Sequence, residues 1–129
     1  MKEIMLYKPI IESFKDEFEC FKEVKLYNRI IDLLLVGKSN NSPKIAMEFK
    51  VKDWKKALQQ AISYQLIADY VYIVMYQKYE NLINNELIRK NGMGLIIANS
   101  RNFKIKIKPI RNEIFDNTLW EKIKNKYVN

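Results

Sequence analysis

Apolar residues recur along the chain in two rhythms, and the switches between them lay out its elements. Tyr7, Ile10, Ile11, Phe14 and Phe18 recur at helical spacing, which predicts a helix over residues 3–19. Pro9 falls inside it, so that helix starts or kinks there. A strand is expected from Phe21 to Tyr27. The run Arg29 to Val36 is apolar apart from Asp32, as in a strand buried on both faces. Gly37-Lys38-Ser39-Asn40-Asn41-Ser42-Pro43 reads as a turn-rich loop. Residues 44–52 then alternate, with Ile45, Met47, Phe49 and Val51 on one face and Ala46, Glu48 and Lys50 on the other. Asp53 is placed to cap a helix beginning at Trp54, whose inner side would carry Trp54, Leu58, Ala61, Ile62 and Gln65.

Tyr70 to Tyr76 is rich in aromatic and β-branched residues and predicts a further strand. A helix from Tyr79 to Lys90 follows, with Asn91-Gly92 as its left-handed stop. Leu95 to Ala98 and Phe103 to Ile107 flank a turn as short strands. The capping-box pattern Thr118-Leu119-Trp120-Glu121 opens a last helix striped by Trp120, Ile123 and Tyr127. The order α-β-β-β-α-β-α-β-β-α predicts one α/β domain over residues 1–129, a central mixed sheet flanked by helices on both faces.

Against this background Asp32 stands out. A carboxylate inside Ile30-Ile31-Asp32-Leu33-Leu34-Leu35 is costly if buried without a partner. The ordinary explanation is an acid at a strand end, or one paired with Arg29 or a lysine. The chemical explanation is a metal ion. Glu48 and Lys50 bear on that choice, because they share one strand face, about 7 Å apart. If Asp32 lies on the neighbouring strand, two carboxylates and an ammonium converge where a hard divalent cation could sit beside a phosphate.

Composition narrows the chemistry. The chain has no histidine, which excludes imidazole acid–base catalysis, Ser-His triads and His-ligated zinc. Cys20 is the single cysteine, which excludes an internal disulfide and a cysteine zinc cluster. Lys and Arg number 23 against 15 Asp and Glu, a net charge of +8 that favours polyanionic partners. Met1-Lys2-Glu3-Ile4 opens no signal-peptide core, and no apolar run approaches the ~20 residues of a membrane span. A cytoplasmic protein without membrane contact is therefore expected.

The set Asp32, Glu48-Phe49-Lys50 and the following helix with Gln60 and Tyr64 at i, i+4 resembles the PD-(D/E)XK nuclease superfamily, which has the restriction-endonuclease-like fold. The likeness is strongest over residues 29–75, and Gln60-x-x-x-Tyr64 is similar to the helix motif of RecB-type nuclease domains. Ile31 stands where the superfamily's name pattern has proline. The resemblance implies that Asp32, Glu48 and the carbonyl of Phe49 hold Mg2+ or Mn2+. It implies that Lys50 assists the attacking water, and that Gln60 and Tyr64 support the site. It also implies a glutamate from the first helix as a further ligand, for which Glu3 is preferred over Glu17 and Glu12, with Glu23 on the first strand as another candidate. Gln65 is either a core amide or a second supporting residue.

The implied activity is metal-dependent hydrolysis of phosphodiester bonds in DNA, with RNA left open. Lys52, Lys55 and Lys56 are the expected phosphate contacts, and Lys104, Lys106 and Lys108 form a second basic row. Each lysine group reads equally well as a solvated face. The alternatives are a catalytically silent member of the same fold that binds nucleic acid or serves as a subunit, and an unrelated small interaction protein. A domain of this size encloses little of a duplex, so a homodimer or partner protein is expected, with Trp120 or Tyr127 as exposed contacts.

Overall fold

The computed structural model describes residues 1–39, 42–113 and 115–128. Asn40 and Asn41 of the turn-rich loop lie outside the described residues. One six-stranded sheet runs in sequence order: β1 (Phe18–Leu26), β2 (Arg29–Gly37), β3 (Lys44–Lys50), β4 (Tyr70–Tyr76), β5 (Gly94–Ala98) and β6 (Phe103–Ile107). The β1–β2, β2–β3 and β5–β6 pairs are antiparallel, and β3–β4 and β4–β5 are parallel. Parallel neighbours need a crossover. Here α2 (Trp54–Ala61) connects β3 to β4, and α3 (Asn85–Lys90) connects β4 to β5. The expected mixed sheet with helices on both faces is what the chain forms.

Two apolar cores result. One face of the sheet packs against α2, α3 and α4 (Asn117–Ile123) through Ala46, Leu58, Ala61, Ile73, Ile88, Leu119 and Ile123. The other packs against Leu6 and α1 (Tyr7–Phe14) through Ile10, Met47, Phe49, Val74 and Ile96. β3 is thus buried on both sides, as a central parallel strand must be.

Several boundaries differ from the sequence reading. The first helix is a 3-10 turn, Glu3–Leu6, followed by α1, and β1 already begins at Phe18. Pro9 sits in the first turn of α1, where its missing N–H costs nothing. Residues 51 and 52 leave the sheet. The helix expected over 79–90 is a 3-10 stretch, Gln77–Leu82, then α3 capped by Asn84, whose side chain accepts from Leu87 N–H at 3.1 Å. Gly92 does adopt the left-handed stop, φ +72°. The last helix is capped by Asp116, which accepts from Leu119 N–H at 3.0 Å, rather than by Thr118. After Ala61 the α2 helix tightens into a 3-10 turn, Ile62–Leu66, which turns Ile62 outward and carries Tyr64 into the core.

Candidate active site

The site forms where β2 and β3 part. Their ladder runs from Val36↔Lys44 to Leu33↔Met47 and stops there, so the next opposed residues are Asp32 and Glu48. The Phe49 N–H, which would continue the ladder, instead donates to the Asp32 carboxylate at 2.8 Å. A strand residue's N–H and C=O point to the same neighbour in an antiparallel pair. The Phe49 carbonyl therefore faces the same gap.

The β1–β2 arm is distorted at the same level. Register is kept on both sides, Lys22↔Leu33 and Val24↔Ile31, which brackets Glu23 opposite Asp32. Leu33 and Leu35 face the α1 side, yet Ile31 faces the α2 side, and Val24 turns with it. Alternation breaks at this one level, and Glu23 takes up the change with φ +57°. A non-glycine residue in the left-handed region is strained, and such strain clusters at functional sites.

Glu48 is 3% exposed. Its Oε1 lies 2.5 Å from the Tyr64 hydroxyl, which also reaches the Ile30 carbonyl at 2.8 Å. Tyr64 thus ties the helical layer to both diverging strands. Burial pushes the Glu48 carboxyl up to about 8, against the Tyr64 hydrogen bond, which lowers it, and with the neighbouring Asp32 charge, which raises it further. Burial also raises Asp32, opposed by the Phe49 N–H and by a hydrogen bond with Glu48. The Asp32 charge thus works against ionisation of Glu48, as like charges in close contact do. Burial raises the Tyr7 phenol too, and the Asp32 and Glu48 charges add to it. Its ring stacks on Phe49 at 3.9 Å and backs the strand from the opposite face.

Lys50 stands at the edge of this pair, its Nζ 4.0 Å from Glu48 Oε2 and 3.9 Å from Glu3 Oε1. Glu3 therefore joins the site through the lysine rather than at the carboxyl pair. Among the described residues no three Asp, Glu or Cys side chains gather into a metal cluster. The donor set still fits a hard divalent ion. Two carboxyls and a backbone carbonyl are oxygen ligands of the type Mg2+ accepts while keeping several waters. A bound cation would offset the cost of burying Glu48 beside Asp32.

Asp32, Glu48, Lys50, Gln60 and Tyr64 line one cleft of about 460 Å3, together with Asn28, Arg29 and Ile30. The sequence reading brought the first five together and missed the last three, which come from the β1–β2 hairpin and carry no local motif. Gln65 lies elsewhere, its Nε2 donating to the Asn91 carbonyl at 2.9 Å, so it is a satisfied structural amide. Asp53 caps α2 through Lys56 N–H at 3.1 Å. Lys52, Lys55 and Lys56 are exposed beyond Lys50, with Lys52 over the Tyr79 ring at 5.4 Å and Lys55 over Trp54 at 5.7 Å. Lys104 and Lys106 are drawn onto Glu80 at 3.6 and 2.8 Å. Trp120 and Tyr127 are half-buried and used within the chain: Lys44 Nζ sits 4.8 Å from the Trp120 ring, and Lys25 N–H donates to the Tyr127 hydroxyl at 3.1 Å.

Compared with known families the chain matches none, and no curated protein matches it. Its fold is similar to that of a solved protein of unknown function from Silicibacter pomeroyi, with a TM-score of 0.76 at 13% identity, covering 99% of this chain and 84% of that one. The likeness concerns architecture alone. No helix among the described residues is long and apolar enough to cross a membrane.

Proposed function

We propose that this protein is a metal-dependent nuclease of the restriction-endonuclease-like fold, hydrolysing phosphodiester bonds in DNA. One observation carries the reading: Asp32 and Glu48 face each other where β2 leaves β3, with the Phe49 backbone and Lys50 at the same point. A purely structural acid pair would gain nothing from this arrangement, since burying like charges together destabilises the fold.

Asp32 and Glu48 would hold Mg2+ or Mn2+, with the Phe49 carbonyl as third protein ligand. When bound, the ion lowers the pKa of a water and offsets phosphate charge. The chain's own residues do the rest. Phe49 N–H fixes one Asp32 oxygen, so that carboxylate is oriented before substrate arrives. Tyr64 fixes one Glu48 oxygen in the same way. Lys50 can hold the attacking water in line with the scissile bond and stabilise charge that builds on the phosphoryl oxygens. Glu3 limits where the lysine points. Gln60 lines the cleft beside Tyr64 and is placed to support bound water or phosphate. Lys52, Lys55 and Lys56 follow Lys50 closely in the chain, are exposed, and would contact the phosphate backbone of the strand.

The test is cleavage of labelled single-stranded, duplex and branched DNA with magnesium, manganese or EDTA, beside folded Asp32→Asn and Lys50→Ala proteins. The expected result is metal-dependent cleavage that both substitutions abolish. Salt-sensitive binding without cleavage under any metal would overturn catalysis and leave a silent nucleic-acid-binding domain.

A further inference from the structure

The cleft has an apolar lip that the chemistry above does not use. β1 and β2 are joined through Tyr27-Asn28, since Leu26 pairs with Arg29. Asn28, Arg29 and Ile30 line the cleft. Ile30, in the cleft lining, is 50% exposed, and Tyr27, next to Asn28 at the hairpin tip, is 69% exposed. Tyr27 also adopts φ +57°, one of two non-glycine residues among those described that do so. A turn of this kind favours glycine, asparagine or aspartate. A tyrosine strains the backbone and holds an aromatic ring in water, a double cost to the fold.

The ring's position is defined. Its hydroxyl reaches Asp116 Oδ2 at a long 3.4 Å, and Asp116 caps α4 through its other oxygen. The α4 helix packs on the same face as α2, so Tyr27 lies on the side of the sheet where the cleft opens. Arg29 is exposed and lines the cleft together with Tyr64. A planar guanidinium beside a cleft suits a phosphate oxygen.

We infer that this hairpin tip is a base-binding lip: Tyr27 stacks on an unpaired base, Ile30 walls it, and Arg29 holds the adjoining phosphate. The inference rests on the nuclease reading for its substrate and makes that substrate single-stranded or frayed. Base faces are covered in a duplex and open in an unpaired strand, where an aromatic platform beside a basic track is the usual recognition device.

The test compares wild type with Tyr27→Asn, Tyr27→Phe and Arg29→Gln. Anisotropy of a fluorescent oligothymidylate and of a matched duplex is read with calcium in place of magnesium, beside melting curves. Tyr27→Asn is expected to weaken single-strand binding about tenfold. Its melting temperature should hold or rise, because asparagine tolerates the left-handed backbone. Tyr27→Phe should bind like wild type although it cannot reach Asp116. Arg29→Gln should weaken binding and flatten its salt dependence. Normal single-strand binding by Tyr27→Asn overturns the lip. So does an equal loss on duplex, or a loss of stability shared with Tyr27→Phe. Wild type that cleaves while Tyr27→Asn binds normally sinks the lip and spares the nuclease. Tyr27-dependent binding without any cleavage does the reverse. Absence of both binding and cleavage removes both.

Discussion

Two acids are buried among the described residues, Glu48 at 3% exposure and Asp69 at 6%, and the chain treats them in opposite ways. Asp69 is surrounded by donors. Its Oδ2 accepts from Lys44 N–H at 2.8 Å, its Oδ1 from the Arg111 guanidinium at 3.1 and 3.3 Å, and Lys44 Nζ stands at 3.9 Å. Its own backbone joins in, with Asp69 N–H donating to Lys44 O and Asn112 N–H to Asp69 O, so the residue locks the sheet to the C-terminal segment. Glu48 has a phenol, another carboxyl and a lysine no nearer than 4.0 Å. One acid has its countercharge built in. The other is buried with its countercharge left to be supplied, which on the proposed reading is the part of a metal ion.

The comparison breaks most sharply by substitution. Glu48→Gln and Asp32→Asn should each lower nucleic-acid cleavage by roughly 10²–10⁴-fold. Both should leave the metal-free protein as stable as wild type or more so at pH 8. Activity assays beside melting curves check this. If Glu48→Gln unfolded the protein, the acid would be structural. Asp69→Ala should do the opposite, costing about 2 kcal/mol through the buried donors left unpaired. Its activity per folded molecule should be unchanged, as read by denaturant titration and cleavage at low temperature.

A pH series sharpens the contrast. Glu48 has an ordinary value of 4.5 and about 8 in the fold. Below the lower value both states keep the proton, and between the two only the folded state does. Stability of the metal-free protein should therefore fall as pH rises from about 4.5 to about 8, and Glu48→Gln should remove that part of the slope. Magnesium should raise the melting temperature more at pH 8 than at pH 5, since it competes with the proton. A magnesium effect independent of pH would place the ion elsewhere. The smallest effect should come from Tyr64→Phe. It leaves Glu48 Oε1 and the Ile30 carbonyl without their shared hydroxyl, for a loss of about 1–2 kcal/mol in stability. Cleavage should fall only severalfold.

The element order was legible because strand and helix rhythms change at the true junctions. Boundaries were not, where side chains from two elements share one pocket. Phe14 and Phe18 continue a helical spacing across the chain reversal because both enter the α1-side core, edge to face with ring centroids at 5.7 Å. Alternation on β3 put Ala46, Glu48 and Lys50 on one face without saying what covers that face. Small Ala46 in fact lets α2 close down on the second face. The site acids were legible because a carboxylate in an apolar run is costly. Arg29 and Ile30 were not, because a hairpin tip is read locally as a turn and only the fold turns it toward the cleft. Glu3 was placed near the site, and its salt bridge to Lys50 depends on a 3-10 entry that no spacing rule signals.

Spatial order of the strands equals their order in the chain. Each strand after β1 pairs with the strand preceding it in the chain, so loop-closure costs stay small and the sheet can grow by simple addition. Residues 29–64 carry the carboxyls, the lysine and the two helix residues of the cleft, and these can come together before the second half of the sheet is in place. A tie across 102 positions comes from the other end, where the Tyr127 hydroxyl meets Lys25 N–H. During synthesis the cleft would be assembled early, and α4 would be the clasp that shuts last.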